Sequence, residues 1–207
     1  MSARTLRQIV GLAPGLQARA TLPAAKTALV LIDYQHEYCS GPLALPDEAR
    51  VTPIACRLRA WAEQSGIAVI HVLHRAPAGS LLFAEGSPGA EPLAGLVPAA
   101  GETVIYKQLP SAFTGTGLAE ALQAKGSENL LIAGYMTHNC VDSTAREAFH
   151  RGYKVGIVAD ASATRDLPGP GGETIPAAQV HAGVLAGLGD RIAEIIDLAT
   201  LQALRVV

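Results

Sequence analysis

The chain has 207 residues, 49% hydrophobic and 16% charged, which is enough for one sizeable core and short for two. A net charge of −2 gives no electrostatic case for nucleic acid or an anionic membrane, and no apolar run approaches the ~18 residues of a membrane span. Cys39, Cys56 and Cys140 are an odd set with no C-x-x-C spacing, which argues against a disulfide framework or a cysteine zinc site and for a reducing, cytoplasmic setting.

Residues 1–26 are basic without an apolar block ahead of a cleavage site, and read as an arm packed on a single domain, residues 27–207. Thr27 to Asp33 (TALVLID) is a buried strand ending in a carboxylate. A polar loop, Tyr34 to Asp47, precedes a helix from about Pro53 to Gln64, where Ile54, Leu58, Trp61 and Ala62 share a face and Gly66 marks the stop. Ile67 to Leu73 is a second strand, and His74 to Gly101 a long Gly/Pro/Ala-rich loop of the length that usually hides short helices or builds a site. Thr103 to Lys107 (TVIYK) is a third strand, followed by a helix from Thr116 to Lys125 with Leu118, Ala121 and Leu122 inward.

The chain is organised around Leu130 to Phe149. A four-residue apolar run makes a fourth buried strand, the chain turns at Gly134, and Val141, Ala145, Ala148 and Phe149 recur at helical spacing. Lys154 to Asp160 is a fifth strand, Asp166 to Glu173 (DLPGPGGE) a flexible loop, Thr174 to Leu188 a helix, and Ile192 to Leu198 a sixth short strand. Strands alternating with helices at this spacing predict an α/β fold: a three-layer, doubly wound sheet of about six mostly parallel strands with helices on both faces.

Three strand ends carry reactive groups: Asp33, Lys107 and, one turn on, Cys140. In a parallel sheet such ends share one edge, so the three can meet. A carboxylate can take a thiol proton, and an ammonium stabilises both anions. The helix start at Cys140 also favours thiolate. Taken singly, Asp33 reads equally as a cap or turn residue, Lys107 as a solvated strand end, and Cys140 as a small buried hydrophobe.

Together the segments LVLIDYQHEY, VIYKQLPSAFTGTGL and AGYMTHNCVDSTAREAFHRGYKVGIVADASAT resemble the isochorismatase-like cysteine hydrolase superfamily, which includes nicotinamidases, N-carbamoylsarcosine amidase, ureidoacrylate and biuret hydrolases and isochorismatase. The likeness spans Thr27 to about Leu198. It implies a catalytic triad of Asp33, Lys107 and Cys140, a cis peptide between Tyr135 and Met136, and an oxyanion hole from the backbone N–H groups of Met136 and Cys140. It further implies a small-molecule substrate, no cofactor, and a homo-oligomer, dimer or tetramer. Gln35, Tyr38, Phe113, Thr114, Tyr135 and Met136 adjoin motif residues and are candidates for the substrate pocket. Arg75 and Arg165 are the nearest basic candidates for a substrate carboxylate.

Departures from relatives narrow the chemistry. The metal-binding Asp-x-His and second His of nicotinamidases have no counterpart, since Cys39 to Val51 holds no histidine. His71 and His74, three apart on or beside a strand, tend to face opposite ways, a poor arrangement for one ion; no metal is expected. His36, His138 and His181 read as rim or packing residues. Isochorismatases that cleave a vinyl ether generally lack the cysteine, so Cys140 favours C–N hydrolysis, with cysteine-independent ether or ester cleavage as the alternative. A nucleotide-binding module is disfavoured because neither G-x-G-x-x-G nor G-x-x-x-x-G-K-[ST] occurs after a strand. A catalytically silent interaction protein is the remaining possibility.

Overall fold

Each apolar run becomes a strand of one parallel sheet: β1 (Thr27–Ile32), β2 (Ala68–His74), β3 (Thr103–Lys107), β4 (Asn129–Gly134), β5 (Lys154–Val158) and β6 (Glu194–Ile196). The computed structural model describes residues 3–11 and 21–207. The strand order is β3-β2-β1-β4-β5-β6, and every neighbouring pair is parallel. The chain therefore winds outward from β1 in one direction and from β4 in the other. That reversal falls at the carboxyl ends of β1 and β4, the kind of place where open α/β sheets bind ligands.

Five helices cover the sheet: α1 (Glu48–Gln64), α2 (Leu118–Ala124), α3 (Asp142–His150), α4 (Ala177–Arg191) and α5 (Leu198–Ala203). Alternation along the strands divides the core in two. Leu29, Leu31, Val69, Leu131 and Ala133 pack against Val51, Ala55, Leu58 and Ala62 of α1 and Leu198 and Leu201 of α5. Ala28, Val30, Ile32, Ile70, Val72, Leu130 and Ile132 pack on the other face against α2, α3 and α4.

Helix α1 begins at Glu48, more than a turn before the predicted start at Pro53. Pro53 lies on the exposed side, near the exposed Ala49, whose carbonyl can bond water in place of the missing proline N–H. The helix predicted from Thr174 instead starts after Pro176, which caps it, and runs on to Arg191. The segment expected to be a flexible loop closes as a small hairpin, Leu167–Pro168 against Thr174–Ile175.

Part of the predicted arm (residues 1–2 and 12–20) lies outside the described residues. Its Leu6–Ile9 helical turn rests on the end of α4, where the Leu6 N–H donates to Asp190 at 2.7 Å. Thr21–Leu22 pairs with Arg205–Val206. Among the described residues no helix is long and apolar enough to cross a membrane.

Candidate active site

Asp33, the residue after β1, is fully buried and has a left-handed backbone, φ +53°. Few non-glycine residues adopt that conformation, and those that do cluster at functional sites. Its N–H donates to the Val72 carbonyl at 2.8 Å and its carbonyl accepts from the Gln35 N–H at 2.9 Å, so the turn is tied to β2. Lys107 closes β3 and is 1% exposed. Its Nζ stands 2.7 Å from Asp33 Oδ2, an ion pair in which both side chains are wholly inaccessible. Beyond this ion pair, neither carboxylate oxygen has a well-formed hydrogen bond among the described residues, while the Cys140 thiol lies close enough to feel the carboxylate. The carboxylate thus keeps acceptor capacity to spare in a buried place, where unused capacity is costly.

Cys140 enters from β4. The chain leaves Gly134 through a cis Tyr135–Met136 peptide into a π turn, Thr137–Val141, before α3; single π turns are frequent at functional sites. Lys107 Nζ donates to Cys140 Sγ at 3.2 Å. Gly134 makes the approach of β4 to β1 possible: a Cβ there would lie 2.2 Å from the Ile32 carbonyl oxygen.

The charges oppose the thiolate expected from a helix start. Burial first, then the Asp33 carboxylate, push the Cys140 thiol up to about 12, against the pull of Lys107. Burial works to lower the Lys107 ammonium, but Asp33 and Cys140 outweigh it and hold it above its ordinary range. The resting arrangement is thus a thiol, a carboxylate and an ammonium, with the proton parked on sulfur beside an acceptor.

The isochorismatase domain family matches residues 27–199. A secreted isochorismatase effector of Verticillium dahliae is 34% identical over 186 residues, 90% of this chain and 93% of that protein. The chain belongs to the isochorismatase family. A solved isochorismatase from Pseudomonas putida superposes with TM-score 0.88 at 36% identity, covering 96% of this chain and 99% of that one. A maleamate amidohydrolase of the same species is 31% identical over 156 residues, 68% of this chain and 73% of that protein.

Within this isochorismatase-family site, the neighbours of the motif residues divide. Tyr38 is buried against the rings of Phe83 and Tyr135, and its phenol is raised first by burial and then by Asp33 and Cys140. Gln35, Tyr135, Phe113 and Thr114 make side-chain contacts of their own. Gln35 spends its amide on backbone, donating to the His74 and Ala90 carbonyls at 2.9 and 2.7 Å and accepting from the His74 N–H at 2.8 Å. Tyr135 is fully buried with its hydroxyl against Thr52 at 2.8 Å. Phe113 stacks on Tyr153, and Thr114 donates to Glu147 of α3.

The histidines fall into separate environments. Buried His71 meets Glu102 at 3.0 Å, which also accepts two bonds from Arg59 of α1. His74 faces the other way, its Nδ1 3.3 Å from Lys107 Nζ. Sequence reading overlooked this contact, although His74 and Lys107 end adjacent strands. His138 pairs with Thr164, and His181 bonds Thr137 at 2.9 Å. His36 is exposed. Among the described residues no three His, Cys, Asp or Glu side chains gather as metal ligands. The Arg165 Nε is buried with no hydrogen-bond partner among the described residues, and His138, two residues before Cys140, is lowered first by burial and then by the arginine's charge.

Proposed function

We propose that this protein is a cysteine hydrolase that cleaves the C–N bond of a small amide or ureide through an acyl-thioester on Cys140. One observation carries the reading: a single buried ammonium, Lys107, contacts both the Asp33 carboxylate and the Cys140 sulfur, at 2.7 and 3.2 Å. The amidohydrolase among its relatives supports C–N cleavage.

In the first half-reaction Asp33 takes the Cys140 proton and the sulfur bonds to the carbonyl carbon. The N–H groups of Met136 and Cys140 receive the oxyanion, each such donor being worth about 10²–10³ in rate. Asp33 then returns the proton to the leaving nitrogen as the C–N bond breaks. In the second, Asp33 takes a proton from water, hydroxide adds to the thioester carbon, and the acid departs as the thiol reforms. No step draws on a metal or cofactor. We assign substrate contact to Tyr38 and a substrate carboxylate to Arg165, whose Nε has no hydrogen-bond partner among the described residues.

The proposal extends to organisation: an arm over residues 1–26, a hydrolase domain over 27–207, and a homo-oligomer using exposed Val97, Tyr106 and Leu109 near the β3 edge. Three free cysteines, one of them needed as thiol, suit a reducing cytoplasm.

The test is an ammonia-release screen over amides and ureides with wild type and Cys140→Ala, coupled to intact-protein mass spectrometry for the acyl adduct. Turnover of an amide by wild type, an adduct on Cys140 and an inactive alanine variant are expected. Full activity in Cys140→Ala would overturn the thioester.

A further inference from the structure

The strand order sets four chemical groups in a row along the carboxyl edge. Lys107 ends β3, His74 ends β2, Asp33 follows β1, and Cys140 follows β4. Lys107 is separated from Asp33 by the whole width of β2, so its side chain must cross the end of that strand. His74 is its register partner across the β2–β3 ladder, and the side chains of such partners leave a sheet on the same side. The His74 Nδ1 lies 3.3 Å from the Lys107 Nζ.

We propose that His74 is a positioning residue, whose unprotonated Nδ1 accepts an N–H of Lys107 and holds the ammonium over Asp33 and Cys140. This rests on the cysteine-hydrolase reading. An ammonium has three hydrogens and no lone pair, so the imidazole nitrogen facing it is the acceptor and the ring proton resides on Nε2. Cys140 and His74 each accept one hydrogen of the ammonium, and the Asp33 carboxylate, 2.7 Å away, holds the remaining charge as an ion pair. Among the described residues His74 and Cys140 are the hydrogen-bond acceptors of this buried ammonium.

The surroundings fix the ring. Gln35 clamps the His74 backbone from both sides, at its N–H and its carbonyl. Phe83 packs on the imidazole with centroids 4.8 Å apart. Phe83 has a left-handed backbone, φ +52°, and its N–H is held by Glu37 at 3.1 Å. Asp33 and Phe83 are the non-glycine residues with positive φ among those described: one is in the triad, and the other braces the residue that steadies its lysine. Burial and the neighbouring ammonium both keep the imidazole neutral, against the pull of Asp33, in keeping with an acceptor role.

His74→Leu keeps the bulk against Phe83 and removes the acceptor, whereas His74→Asn keeps an acceptor near the position of Nδ1. Two readouts are taken on the full chain: the iodoacetamide labelling rate of Cys140 against pH, and kcat and KM separately. In the leucine variant we expect Cys140 labelling at fixed pH and kcat each to fall about tenfold, the scale of one lost charged hydrogen bond. KM is expected to hold within about threefold, and asparagine to recover most of both losses. Should leucine fail to fold, glutamine, with its amide one bond further out, replaces it with the same losses expected. Labelling in the leucine or glutamine variant that matches wild type across the pH range, or asparagine no better than leucine, would overturn the role. The labelling arm needs no substrate. Failure of the hydrolase reading, seen as full activity in Cys140→Ala, is thereby separated from failure of this one.

Discussion

The Lys107 ammonium and the Asp33 carboxylate lie 2.7 Å apart with neither side chain reachable by solvent. Such a pair is poor evidence for stability, because both charges have left water, but removing one partner strands the other. Lys107→Met is therefore expected to destabilise the fold by about 3–5 kcal/mol and to abolish turnover. Adding Asp33→Asn should restore much of the stability and none of the activity. Urea unfolding of the two single variants and the double variant measures this; additive losses would contradict it.

Removing the carboxylate alone separates reactivity from catalysis. Asp33 raises the Cys140 thiol, so Asp33→Asn should move the pH midpoint of Cys140 alkylation down from about 12. Turnover, deprived of its base and acid, should fall by ~10³-fold or more. A thiol that labels faster while the enzyme stops is the expected signature, read by peptide mass spectrometry and ammonia release. A midpoint that rises would show that Asp33 favours the thiolate.

Cys140→Ala decides between bond types. A thioester route predicts a loss of ~10³-fold or more on any substrate the wild type cleaves. Cysteine-independent ether or ester cleavage predicts activity near wild type. Steady-state kinetics on the best substrate from the screen makes the comparison.

Acid stability should follow the cluster around Glu102. Burial pulls His71 below its ordinary 6.5. Burial pushes Glu102 up, but the Arg59 and Ala99 hydrogen bonds and His71 outweigh it and hold it below 4.5. Both groups bind protons less readily folded than unfolded, so their stabilisation is present at neutral pH. It declines as pH falls below about 6.5 and again below about 4.5. Thermal melts between pH 8 and 3.5 should show both declines, and Glu102→Gln should flatten the lower one.

Gly134→Ala should cost ~3 kcal/mol or more. The new Cβ would meet the Ile32 carbonyl oxygen at 2.2 Å, with φ at +152°, and backbone cannot swing aside as a side chain can. Chemical denaturation reports it; a loss below ~1 kcal/mol would mean the strand ends can part.

The strands, and the meeting of Lys107 with Asp33 and Cys140, were readable because they depend on patterns a one-dimensional string retains. Buried parallel strands are continuous apolar runs, and a residue at a strand end stays at the strand end after folding. For Gln35, Tyr135, Phe113 and Thr114 the string offered adjacency alone. Adjacency to a reactive residue says nothing about which way a side chain points, and these four turn to backbone, to α1 or toward α3. The contact of His74 with Lys107 escaped notice because it lies in the β2–β3 register, which links residues far apart in sequence. The start of α1 was missed because a proline weighs against helix regardless of which side faces water.

The single-file arrangement along the sheet edge has a consequence for how this molecule can be handled. Because its members come from four neighbouring strands, no contiguous fragment shorter than the stretch from Asp33 to Cys140 contains them all. A misassembled or half-zipped chain is silent, so turnover becomes a gauge of correct strand docking during refolding. Two separately expressed pieces, divided in the loop after β3, would stay inert until they find each other.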